Sequence, residues 1–170
     1  MRGIGNFVRA VAGIVALLIV ALPSVEAVAG RMQPAKRTSS RPAVEVEKKS
    51  HRLVLQVNVN DAATMNLTLN NAMNVAQYYS DRDEKVKIEV VTFGPGLHML
   101  RDDTSPVKSR IKTIKEGNPE ISFEACGNTQ ENMRKVENKE IALIPEATIV
   151  KSGVVRVMER QEQGWTYVRP

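Results

Sequence analysis

Cysteine occurs once in this 170-residue chain, at position 126, histidine twice, and aromatic residues make up only 4% of it. A single thiol closes no internal disulfide, so Cys126 is intermolecular, reactive or simply buried. Two histidines distant in sequence from that cysteine make no structural zinc set, and no metal is expected. The charge is as sparing as the aromatics: without its first 30 residues the chain keeps 22 basic and 18 acidic side chains, a net +4. A mild excess with no clustered basic face and few rings for stacking gives no footprint for nucleic acid. Nor does Gly94-Pro95-Gly96 precede a Lys-Ser or Lys-Thr pair. A phosphate-binding loop is therefore missing, and with it the case for a nucleotide or flavin; no cofactor is expected.

What the amino terminus holds is a targeting pattern. Arg2 and Arg9 supply a positive start, Ala10 to Leu22 is an uninterrupted apolar or glycine run of thirteen residues, and Pro23 and Ser24 break it before small residues at Ala27 and Ala29. Thirteen is short of the roughly 20 that a membrane span needs. Residues 1–29 thus read as a secretory signal peptide, cut after Ala27 or Ala29, and the protein as periplasmic or otherwise exported. An uncleaved anchor would put the domain in the same compartment. Residues 30–50 are rich in Arg, Lys, Ser, Thr and Pro and read as a flexible basic linker. The α/β domain is expected over 51–170, with no stable membrane insertion once the signal is removed.

Within that domain, strand and helix patterns alternate. Leu53 to Val59 is a mostly apolar strand, and Met65, Leu69, Ala72, Met73 and Ala76 then recur at helical spacing to about Tyr79. Asn66-Leu67-Thr68 matches a glycosylation sequon but falls inside that helix. Val86 to Phe93 is the second strand, and His98 on a short packed segment beyond its glycines is a candidate base or ligand. Ser105 as N-cap and Pro106 as first residue open a helix closed by Gly117 and Pro119. Ile121 to Cys126, Ala147 to Val150 and Trp165 to Val168 supply three more strands. Between the last two, Ser152 caps a helix whose Val154, Val157 and Met158 should face inward. Repeated strand–helix order predicts a parallel sheet of about five strands with helices on both faces, wound right-handedly.

Cys126 is the one candidate catalytic residue. A strand that ends in a small residue, a glycine and a helix start puts it at the carboxyl edge of the sheet, where open α/β folds build their sites. Asn128, with Glu131 three residues on, reads as an N-cap and capping-box partner, so free N–H groups and the positive helix end would favour a thiolate. Glu124 and Glu131 stand close in sequence and would oppose it. A small buried hydrophobe at a strand end is the alternative reading of the same residue.

The order of features, from the strand Leu53 to Val59 and its asparagine-bearing helix, through Val90 to Gly96, to Ile121, Phe123 and Cys126 and the closing Gly153, Gln161, Gly164, Trp165, Tyr167 and Pro170, resembles the DsrE/DsrF-like family with its TusD-type sulfur carriers, in its exported branch. The resemblance implies a flavodoxin-like three-layer α/β sandwich, assembly as a trimer or hexamer, and sulfur carried as a persulfide on Cys126, with a sulfur donor or acceptor protein as partner. It implies nothing for the other residues. A non-catalytic oligomeric binding module with an inert cysteine is the competing function.

Overall fold

The computed structural model describes residues 50–170; the expected signal peptide and all but the last residue of the expected linker lie outside the described residues. Five strands, β1 (Ser50–Val57), β2 (Lys85–Thr92), β3 (Ile121–Cys126), β4 (Ala147–Val150) and β5 (Thr166–Val168), form one all-parallel sheet in the order β4-β3-β2-β1-β5. The helices α1 (Ala62–Ser80), α2 (Lys108–Gly117), α3 (Gly127–Glu137) and α4 (Gly153–Glu162), with a 3-10 segment Gly94–Leu100, link them. This is the expected flavodoxin-like α/β sandwich. The first three crossovers step the chain across the sheet in one direction, and the fourth returns it past all the others to the far side of β1.

That return decides which helix covers which face. Strand residues alternate between faces: Leu53, Leu55, Val57, Ile88, Val90, Ile121 and Phe123 pack with Met65 and Leu69 of α1 and Ile111 of α2 in the main core. On the other face Val54 and Val91 meet Val157 of α4 and Trp165, with Phe93 alongside. β1 and β2 are buried on both sides, hence their near-continuous apolar runs.

Two boundaries and one helix face differ from expectation. β1 begins at Ser50, three residues before its apolar run, because it pairs in register with Lys85 and the rest of β2. α2 begins at Lys108, after Val107: Ser105 accepts the Val107 N–H at 3.4 Å but its hydroxyl is turned onto Met99 O at 2.5 Å, so it holds the turn before the helix and does not cap it. On α4, Val157 is buried, whereas Val154 and Met158 are about half exposed. The inner side of that helix is occupied by Arg156 and Arg160, which reach Glu89 in the middle of the sheet.

One glycine is required by close packing at the carboxyl edge. A Cβ on Gly96 would sit 2.2 Å from Val57 O, so the 3-10 segment can cross the end of β1 only without a side chain there.

Candidate functional site

Cys126 ends β3, and α3 starts at the next residue, so strand passes into helix with no loop. Cys126 itself holds the N-cap position; the expected Asn128 cap and Glu131 capping box are not formed. Asn128 lies inside the first turn and gives its N–H to Lys151 O at 3.2 Å. Glu131 pairs with Arg134 and Lys135 along the outer face of α3, and those bonds, Arg134 first, hold its carboxylate down at about 2. Its charge is met by two cations and does not stand bare against the thiol.

The cysteine lies two residues beyond Glu124 and four beyond Ser122 on the face of the sheet that α4 covers. There the start of a second helix reaches it. A Cβ on Gly153, first residue of α4, would fall 3.2 Å from Cys126 Cβ and 2.8 Å from the Phe93 ring. The thiol is therefore pinched between the first turns of α3 and α4. Only 4% of the residue is exposed, and burial pushes its titration up. Against that act the Thr129 hydroxyl, then the backbone N–H groups of Gly153, Thr129 and Asn128, and together they bring the thiol below its usual value. The Asn128 contribution is the weakest, since that N–H is shared with Lys151 O. Thr129 is tied in turn: its oxygen accepts the Gly94 N–H at 3.0 Å, which fixes the hydroxyl and joins the glycine turn after β2 to the cysteine helix.

Below the thiol on the same face is a charged layer. Glu89, buried in the middle of β2, accepts two bonds from Arg156, each 3.0 Å, and one from Arg160 at 2.5 Å. Arg160 also lies 4.7 Å over the Trp165 ring. Glu124 is 5% exposed and one carboxylate oxygen has no hydrogen-bond partner among the described residues. Burial raises its titration, with Ser122 acting the other way. The cluster fastens α4 to the sheet one and two turns below Gly153.

α3 buries none of its residues completely, and its far end is held from outside. Arg101, 1% exposed, takes Asp103 through Nε and Nη2 and Glu137, the last residue of α3, through Nη1 and Nη2. His98 bonds Thr104 Oγ1 through Nδ1 at 2.8 Å and has no bond to the thiol.

Between α4 and the β4 edge is a cavity of about 560 Å³ bounded by Asn128, Val150, Lys151, Ser152 and Arg156 among others; Cys126 does not line it. A cavity of about 490 Å³ lies on the opposite face, between α1 and β5, walled by Leu55, Val75, Tyr78 and Val168; it contains no nucleophile related to Cys126. Among the described residues no group of three or more His, Cys, Asp or Glu is placed to hold a metal, and no helix is long and apolar enough to cross a membrane.

Fold and site together define a class: a three-layer α/β protein with one thiol at the carboxyl edge of a parallel sheet, held by two helix starts. No family model matches the chain, and no curated protein matches it. Among solved structures it is similar to MTH1491 of Methanobacterium thermoautotrophicum, a protein of unknown function, with a TM-score of 0.60 and 28% identity over 71% of this chain and 99% of that one.

The sequence made Cys126 conspicuous, and it marked Gly153 only among the closing residues of the resemblance, with no link to the thiol. A glycine after Ser152 reads as an ordinary helix start, and its contact with a residue 27 positions earlier depends on the return crossover of α4.

Proposed function

We propose that the protein carries sulfane sulfur on Cys126, as a member of the DsrE/DsrF-like group acting outside the cytosol. The observation that carries this reading is the position of Cys126, N-cap of α3 and packed against Gly153 at the start of α4, where the Thr129 hydroxyl and backbone N–H groups outweigh burial and favour the thiolate. A thiolate is the form that attacks a sulfane donor. A carrier of this kind holds the transferred sulfur as a persulfide on Cys126 and then gives it up to a thiol or other acceptor. The secretory pattern of residues 1–29 supports export, and the half-exposed Val154, Val155 and Met158 on α4 support self-association, as a trimer or hexamer.

Incubation of the reduced protein with a sulfane donor tests the reading. The intact mass should rise by about 32 Da, one sulfur atom, reversibly on reduction and not at all in Cys126→Ser. An unchanged mass, with alkylation of Cys126 only above pH 9, would leave the inert-cysteine binding module as the better account, which the 4% exposure of the residue favours.

A further inference from the structure

The two faces of the sheet are unequally covered. Met65 and Leu69 of α1, Ile111 and Ile114 of α2 and Met133 of α3 pack on one face, whereas α4 is alone among the described helices on the other. Five strands about 4.8 Å apart make a face roughly 20 Å wide, and one helix covers about 10–12 Å of it. α4 rests on β1, β2, β3 and β5. On the β4 side the same face is open: Val150, the register partner of Cys126, points to it, and so does Thr148 two residues before, which is exposed. The 560 Å³ cavity lies in this opening, between Val150 and the flank of α4.

That flank carries a pattern that reads alike in both directions except for its sign. Lys151, Val155 and Glu159 follow one another at steps of four residues and all line the opening, so a cation stands about one turn before Val155 and a carboxylate one turn after it. All three are exposed, and neither the lysine nor the glutamate makes an ion pair among the described residues. Val155 is 47% exposed, and Met158 next to it 54%. A uniformly acidic or basic partner would meet its own charge at one end of this stripe. A second copy of α4 laid antiparallel meets opposite charge at both ends: Lys151 faces the partner's Glu159, Glu159 faces the partner's Lys151, and Val155 meets the partner's Val155 between them.

We infer that this flank of α4 docks a second copy of the chain about a two-fold axis through Val155, the partner's α4 lying antiparallel in the opening over β4. The inference rests on the self-association proposed above and names its surface; it is independent of the chemistry of Cys126. A two-fold contact needs an even number of subunits, so the assembly is a dimer or a hexamer and not a lone trimer. Docking takes Val155 out of water on both copies, and it covers the side of β4 that no helix of the same chain reaches. The exposed ion pairs add modest, salt-sensitive attraction and fix which way the second helix runs.

Charge reversal, read by light scattering of the purified protein over a range of concentrations at low salt, tests the interface. Lys151→Glu or Glu159→Lys puts like charges at both ends of the contact and should weaken association about tenfold. The double variant Lys151→Glu/Glu159→Lys, or a mixture of the two single variants, should restore it. In a Cys126→Ser background, Val155→Cys should cross-link to its own copy on mild oxidation with diamide, because a residue on a two-fold axis meets itself. A trimer, an assembly indifferent to the charge variants, or absence of the Val155→Cys cross-link overturns this interface while leaving self-association through another surface. A mass of one subunit at every concentration is a different outcome: it removes the self-association reading and the interface with it.

Discussion

Gly153 and Cys126 are 27 residues apart and in contact: the α4 residue gives its backbone N–H toward the thiol, and a Cβ on it would approach Cys126 Cβ to 3.2 Å. A side chain at that position would displace either the Phe93 ring or the helix. Gly153→Ala should therefore lift the first turn of α4, weaken its bond to the thiol and raise the thiol's titration. Overpacking of this kind costs about 1–3 kcal/mol. Urea unfolding reads the stability and the pH dependence of iodoacetamide alkylation reads the thiol; a variant with both unchanged would mean that α4 contributes nothing to the site.

Thr129 separates the hydroxyl contribution from the backbone ones. Thr129→Val keeps the shape and removes the donor to Sγ together with the acceptor of the Gly94 N–H. Stability should fall by about 1–2 kcal/mol for the unpaired N–H and the lost bond, and alkylation should require higher pH than in the wild type. The native thiol titrates below its usual value of 9.0. Its charge therefore adds stability that is fully present above that value and lost as pH falls through the lower native one. In Thr129→Val that pH window should narrow, which denaturation at a series of pH values would show.

The sheet was largely legible because its strands are short apolar runs with clear ends: Ile121 to Cys126 and Ala147 to Val150 coincide with β3 and β4. The capping box was a false match for a physical reason. Asn-x-x-Glu fits the pattern, but β3 passes straight into α3, so the cap falls on Cys126 and Glu131 is free to pair with Arg134 and Lys135. Val154 and Met158 share a stripe that periodicity assigns to a core. Periodicity finds a face without saying what it meets, and here arginines reach past the apolar residues to Glu89.

Glu89 is the anchor of α4, and the anchor should matter to the thiol 37 residues on. Glu89→Gln leaves Arg156 and Arg160 without their carboxylate. Since both arginines keep partial access to solvent, the expected loss is about 2 kcal/mol, below the full cost of breaking a buried pair. Alkylation of Cys126 should shift to higher pH as the start of α4 loosens. Glu124→Gln should act in the opposite sense on stability. Burial raises the Glu124 titration, so ionising it in the folded protein opposes folding once the pH passes its ordinary value of 4.5. The variant should gain on the wild type as pH rises from 4 to 7. A gain that is flat across this range would show that the carboxyl is already as well accommodated charged as neutral.

Arg101 holds the other end of the cysteine helix, since Glu137 closes α3 and Asp103 follows the 3-10 segment. Its bonds, first to α3 and then to the loop, keep Glu137 ionised down to about 2 and Asp103 well below the usual carboxylate range. Carboxylates depressed in this way contribute stability that is fully present above their ordinary values, 4.5 for Glu137 and 3.8 for Asp103, and is lost as pH falls through the native ones. Arg101→Met fills much of the same volume without charge, so packing around Met133 should survive while both carboxylates return toward ordinary titration. The variant should be less stable than the wild type at pH 7, and the gap should close as the pH approaches 2. Melting temperature across pH 2–7 decides it. Loss of the Arg101 anchor should also fray the end of α3, seen as faster amide exchange at Lys135 and Val136, while the Thr129 amide near Cys126 stays protected. Equal loss of protection along the whole helix would show that α3 moves as one body, and that Arg101 then sets the thiolate site from the far end of the helix.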